Sequence, residues 1–154
     1  MDSFLSHVGL FSNLTPEQLK HIESICTEIR LQPGEILFHE GDEPAFFYII
    51  VPGRIRISRI IPGMGEEALA ILDKGSYFGE MEIFEPIPRA AQAMAHTPCV
   101  LQAIRIADLH QAMHDDREMT ISLLWNFVLT LSERLRNTND KVMATFALAK
   151  FAGG

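Results

Sequence analysis

The chain has 154 residues, of which 47% are hydrophobic and 21% charged, with a formal net charge of -7. That size and composition suit one globular domain over 1–154 with a sizeable core, and they exclude disorder throughout. The negative surface repels phosphate backbones, so affinity for DNA or RNA needs a local basic patch, and the sequence shows none.

Met1-Asp2-Ser3-Phe4 lacks the basic and apolar regions of a secretory leader, and no apolar run reaches bilayer-spanning length; a cytoplasmic chain with no membrane partner is expected. Thr15-Pro16-Glu17-Gln18 carries a cap, a proline suited to the first helical position and a capping-box partner, which predicts a short amphipathic helix over 16–26. Cys26 and Cys99 sit among apolar neighbours and read as reduced, buried thiols.

From about 28 to 107 short apolar or alternating runs are punctuated by Pro33-Gly34, Gly41-Asp42, Pro52-Gly53, Pro62-Gly63-Met64-Gly65 and Asp73-Lys74-Gly75. Phe46 to Val51 reads as a strand buried on both faces, whereas Arg54 to Ile60 alternates as a strand with one wet face. Many short strands at this spacing predict a sandwich or an antiparallel jelly-roll barrel. Beyond Asp108 glycine and proline vanish until the last two residues, which predicts a short helix near 107–114 and a long one near 117–150. In the long segment Leu124, Val128, Leu131, Leu135, Thr138 and Val142 form a heptad seam with one polar step, expected to pair with a second copy as a parallel homodimer. The fold class expected is therefore α+β: a jelly-roll barrel flanked by an N-terminal helix and a long C-terminal helix.

The chemistry is concentrated in Tyr77-Phe78-Gly79-Glu80-Met81-Glu82-Ile83-Phe84-Glu85-Pro86-Ile87-Pro88-Arg89-Ala90-Ala91. A glycine lets backbone approach a ligand, and a helical turn just after it aims free N–H groups outward, as an anion requires. Arg89 can present a charge-assisted fork to a phosphate, and Glu80 is an acceptor suited to a sugar hydroxyl. On these grounds alone the segment reads as a site for a phosphate and a hydroxyl.

The whole stretch resembles the phosphate-binding cassette of the cyclic nucleotide-binding domain family, Phe-Gly-Glu-Leu-Ala-Leu followed by a short loop and Pro-Arg-Ala-Ala. Pro33-Gly34-Glu35, Glu40-Gly41-Asp42, Tyr48-Ile49-Ile50 and Gly53 resemble the turns and strands that precede the cassette in that family, and the long helix resembles the dimer helix of its catabolite-activator branch. The resemblance implies a cassette over 78–91 in which Glu80 accepts from the ribose 2′-hydroxyl, Arg89 holds the cyclic phosphate, and Phe78, Gly79, Met81, Ala90 and Ala91 complete the cradle. Thr138, with Asn139 beside it, is implied to face the adenine. A threonine after the arginine favours guanine in the family; Ala90 stands there, which points to cyclic AMP rather than cyclic GMP. Two positions depart from the pattern. Glu82 replaces a small residue and is expected either to repel the phosphate or to point into water, and Gln92 replaces a Ser or Thr.

The resemblance implies a sensor, not an enzyme, that needs no cofactor and passes its signal to a dimer interface or a separate effector protein. A metal-dependent cupin enzyme is the alternative on a jelly roll, but cupin ligands cluster as His-x-His with a following Glu, and no such spacing occurs. His110 and His114 are one helical turn apart, yet Gln111 stands where a zinc protease needs glutamate, so no metal site is expected. No recognition helix follows the long helix, so the chain is expected to be a stand-alone sensor, or the sensor part of a longer transcription regulator, without direct DNA contact of its own.

Overall fold

The computed structural model describes residues 3–153, so the domain expected over 1–154 extends by a few terminal residues beyond them. Eight strands form two antiparallel four-stranded sheets. The first sheet holds β1 (Cys26–Leu31), β8 (Cys99–Arg105), β3 (Phe46–Ile50) and β6 (Tyr77–Phe78) in that order. The second holds β2 (Ile36–Phe38), β7 (Gln92–Ala95), β4 (Ile55–Ile61) and β5 (Gly65–Leu72). The sheets are separate rather than a closed barrel, which refines the expectation while keeping the jelly-roll class.

The apolar run of β3 is explained by where its two faces go. Phe47 and Ile49 join Leu5, Phe11, Ile22, Ile104, Leu109, Met119, Leu123 and Phe127 in a core between the first sheet and the helices. Tyr48 and Ile50 point the other way, into the core between the sheets, with Leu31, Ile55, Phe78, Ala93 and Leu101. Successive strand residues face opposite sides, so a strand with a core on each side has no polar positions to spare.

Helix α1 spans Pro16–Ser24, with Thr15 Oγ1 accepting from Gln18 N and Gln18 Oε1 accepting from Thr15 N. It ends before the expected residue 26, because Cys26 pairs with Ile104 as the first residue of β1. The alternation expected from Arg54 to Ile60 holds only halfway. A register shift between Ile57 and Ser58 buries Ser58 and turns Ile60 outward. Two 3-10 turns, Phe4–His7 and Gly9–Phe11, were not legible as elements, yet they bury Leu5, Leu10 and Phe11.

Helix α2 (Met81–Phe84) is a single turn following β6. Helix α3 runs Ile106–Asp115 and α4 Arg117–Ala152, close to the two helices expected. At a rise of about 1.5 Å per residue, α4 is about 54 Å long. Its buried residues Met119, Leu123, Asn126 and Phe127 recur at helical spacing and dock the first turns on the domain. Asn126 Nδ2 donates to the carbonyls of Leu10 (2.8 Å) and Ser12 (3.0 Å), tying the N-terminal turns to this helix. Beyond Phe127 the helix carries no buried residue, and Leu131, Leu135, Val142, Met143 and Phe146 are exposed. Among the described residues no helix is long and apolar enough to cross a membrane. Cys26 and Cys99 are both free thiols; Cys99 is buried, whereas Cys26 is half-buried and its thiol is pushed up to about 12, mainly by desolvation.

Candidate functional site

The cassette is held from behind by backbone. Gly41 and Asp42 form a turn whose Gly41 N–H donates to the Arg89 carbonyl (2.8 Å) while the Arg89 N–H donates to the Asp42 carbonyl (2.9 Å). Gly41 has φ +89°, a conformation that glycine adopts without steric penalty, which accounts for the Glu40-Gly41-Asp42 turn seen in the sequence. At the front, His110 Nε2 on α3 donates to the Ile83 carbonyl at 2.7 Å, fixing the end of α2. Phe84, at that same end, meets Phe127 of α4 edge-on at 5.2 Å, and Tyr77 meets the same ring edge-on at 5.6 Å.

Arg89 is buried, with its guanidinium 4.2 Å from the centre of the Phe38 ring and within reach of Tyr48. Nη2 donates to the Phe46 carbonyl, and Nη1 donates to the Gly79 carbonyl (3.2 Å) and to Glu82 Oε2 (3.3 Å). Gly79 has φ +78°, and a Cβ there would stand 2.7 Å from Arg89 Nη1, so the cradle requires a residue without a side chain. Glu82 does not point into water as one of the sequence expectations had it; its side chain is 6% exposed and pairs with Arg89. A carboxylate at this position finds a buried guanidinium before it finds solvent, because α2 turns it inward.

Glu80 is also buried, and Arg134 of α4 pairs with it while donating through Nη2 to the Tyr77 carbonyl at 2.6 Å. Burial pushes the Glu80 carboxyl up from its ordinary value, the Arg134 charge opposes this, and the Glu82 charge adds to it. Arg134 is not among the site residues expected from the sequence, where it stands with the polar residues that flank the apolar seam. The signal that would have found it is its spacing: Arg134, Thr138 and Lys141 lie at i, i+4 and i+7, on one face of a helix.

These groups border a cavity of about 370 Å³ between the second sheet and α4. Its walls are Ile57, Leu69 and Leu72 on the sheet, Phe78 to Glu82 with Ala90 and Ala91 on the cassette, and Arg134, Asn137, Thr138 and Lys141 on α4. Of the residues singled out from the sequence, Phe78, Gly79, Glu80, Met81, Ala90, Ala91 and Thr138 line it. Arg89 stands directly behind the wall, joined to it through Gly79 and Glu82. Asn139 does not line it, since one residue past Thr138 turns about 100° around the helix, away from this face. Such a volume, largely apolar with two acid–base pairs at one end, suits a small ligand that joins a flat apolar ring to a hydroxylated anionic part. Among the described residues no three histidine, cysteine or carboxylate side chains gather as a metal site.

The chain is similar to known proteins over most of its length. A CRP-like cAMP-activated global transcriptional regulator of Mycobacterium tuberculosis is 29% identical over 142 residues, covering 92% of this chain and 62% of its own length. A cAMP-dependent protein kinase regulatory subunit of Hypocrea atroviridis is 32% identical over 94 residues, 61% of this chain and 19% of that protein. The chain thus spans about three fifths of the first relative and a fifth of the second. Among solved structures, the N-terminal domain of a transcriptional regulator from Streptomyces coelicolor A3(2) superposes with a TM-score of 0.74 at 31% identity, covering 91% of this chain and 95% of that one. By their names these three relatives are regulatory proteins. The family model of the cyclic nucleotide-binding domain matches residues 28–116, more than half of the chain and the whole of the cassette with the strands that carry it; the chain belongs to the cyclic nucleotide-binding domain family.

Proposed function

We propose that the chain is a non-enzymatic cyclic nucleotide sensor of the cell interior, that cyclic AMP is its ligand, and that α4 transmits the bound state to a second copy or to a separate effector. The observation that carries this reading is the cavity between cassette and helix, with a buried arginine and a buried glutamate at one end and Thr138 on the opposite wall. Arg89 holds the cyclic phosphate through charge-assisted hydrogen bonds. Glu80 accepts from the ribose 2′-hydroxyl; a carboxylate has about four lone-pair sites, so it can keep Arg134 as well and tie the sugar to α4. The apolar walls, Ile57, Leu69 and Leu72, cover the base, and the Thr138 hydroxyl accepts from the adenine amino group. Cyclic AMP is favoured over cyclic GMP because Ala90 offers no hydroxyl to guanine. The mycobacterial relative, a cAMP-activated regulator by name, is in keeping with that choice.

Transmission follows from the same contacts. A ligand that bridges cassette and α4 stabilises whichever helix placement brings Glu80, Arg134 and Thr138 together around it, and so shifts a pre-existing equilibrium. Titration calorimetry with cyclic AMP and cyclic GMP, on the wild type and on Thr138→Ala, tests the reading. Cyclic AMP is expected to bind the wild type more tightly, and Thr138→Ala is expected to lose about 1 kcal/mol for cyclic AMP with little change for cyclic GMP. Equal affinities in both proteins would remove the adenine contact.

A further inference from the structure

Arg89 is not waiting for an anion; it already holds one. Its guanidinium is fixed beneath by the Phe38 ring, at one end by the Phe46 carbonyl and at the other by the Gly79 carbonyl, so it cannot swing out to meet a ligand. The remaining contact, Glu82 Oε2 at 3.3 Å from Nη1, lies on the cavity wall. An arriving phosphate must therefore approach Arg89 where the Glu82 carboxylate sits. The other charged or titratable groups around this point are Glu80 at the head of α2, Tyr48 of β3, and Arg134 and Lys141 on α4. Arg134 is engaged with Glu80, so it does not cancel a second negative charge beside Arg89.

Resting on the reading that Arg89 binds the cyclic phosphate, we propose that Glu82 is a built-in competitor for that phosphate, whose carboxylate must give up its contact with Arg89 before the ligand is held. Two anions cannot share one buried guanidinium cheaply, so the Arg89–Glu82 pair sets a threshold that the ligand has to exceed. The cradle is thereby tuned to a lower affinity than it would have with an uncharged residue at position 82.

The test is calorimetric titration with cyclic AMP and cyclic GMP on the wild type, Glu82→Gln and Glu82→Ala, with circular dichroism as the check on folding. Glu82→Gln keeps the size of the side chain but removes its charge, and it is expected to bind cyclic AMP about tenfold more tightly. Glu82→Ala removes the side chain altogether and is expected to gain in the same direction, and both gains are expected for cyclic GMP as well, since the two ligands bring the same phosphate. Folded variants that bind no more tightly than the wild type overturn the inference and leave the sensor reading standing. If none of these proteins binds cyclic AMP or cyclic GMP, the sensor reading fails and this inference with it.

Discussion

Burial pushes the Glu80 carboxyl up from its ordinary value, and the Arg134 charge offsets that only in part. A carboxyl raised in the folded state binds protons more readily there than in the unfolded chain. Below the unfolded value both states are protonated and nothing is lost. As pH climbs through the unfolded value towards the raised folded one, the folded state is increasingly penalised for carrying the charge, so at neutral pH Glu80 lowers stability. Glu80→Gln is therefore expected to melt above the wild type at neutral pH without ligand, with the gap closing as pH falls through the carboxylate range. On the proposed role of Glu80, the same change is expected to weaken nucleotide binding by about 1–2 kcal/mol through loss of a charged acceptor. Thermal melts over that pH range check the first part; a lower Tm at neutral pH would contradict it. Glu80 and Arg89 are singled out in the sequence because the stretch from Phe78 to Ala91 resembles the cassette of the family. The pairings of Glu82 and Arg134 are not legible there: Glu82 is expected to repel the phosphate or to meet water, and a charged side chain on a polar helix face ordinarily meets water. Their partners, seven and fifty-four residues away, are set by the fold.

Among the elements, α4 does two jobs with two faces. Its first turns bury Met119, Leu123 and Phe127, and Phe127 is caught edge-on between Tyr77 and Phe84, the two ends of the cassette's β6–α2 unit. Further along, Leu131 is 41% and Leu135 61% exposed in the single chain, in a seam that reaches Val142 and passes Thr138 at the cavity. A seam of this kind, left uncovered, is what a second copy would bury. Leu131→Asp is expected to give a folded monomer, since Leu131 belongs to neither core cluster while an unpaired carboxylate in a helix seam is costly. Light scattering checks the mass and circular dichroism the fold; a wild type monomeric at tens of micromolar would remove the dimer. The helices were readable from their period and from the absence of glycine and proline. The β4 bulge and the two N-terminal 3-10 turns were not: a register shift is decided by the neighbouring strands, and turns of three or four residues carry no periodicity to read.

At the scale of the whole molecule, the proposed function requires an acidic chain, net charge -7, to draw its ligand's phosphate to one buried guanidinium against the general field. The account thus stands or falls on Arg89. Removing it alone would strand Glu82, and breaking a buried pair in that way costs about 3–5 kcal/mol of stability whatever the site does. The direct measurement is therefore cyclic AMP titration of three proteins side by side: wild type, Glu82→Gln, and the double variant Arg89→Gln with Glu82→Gln, in which no charge is left unpaired. The account predicts saturable binding to the first two and a loss of about 2–5 kcal/mol, roughly thirtyfold to several thousandfold, in the double variant. A double variant that is folded and binds cyclic AMP as tightly as the wild type would contradict it.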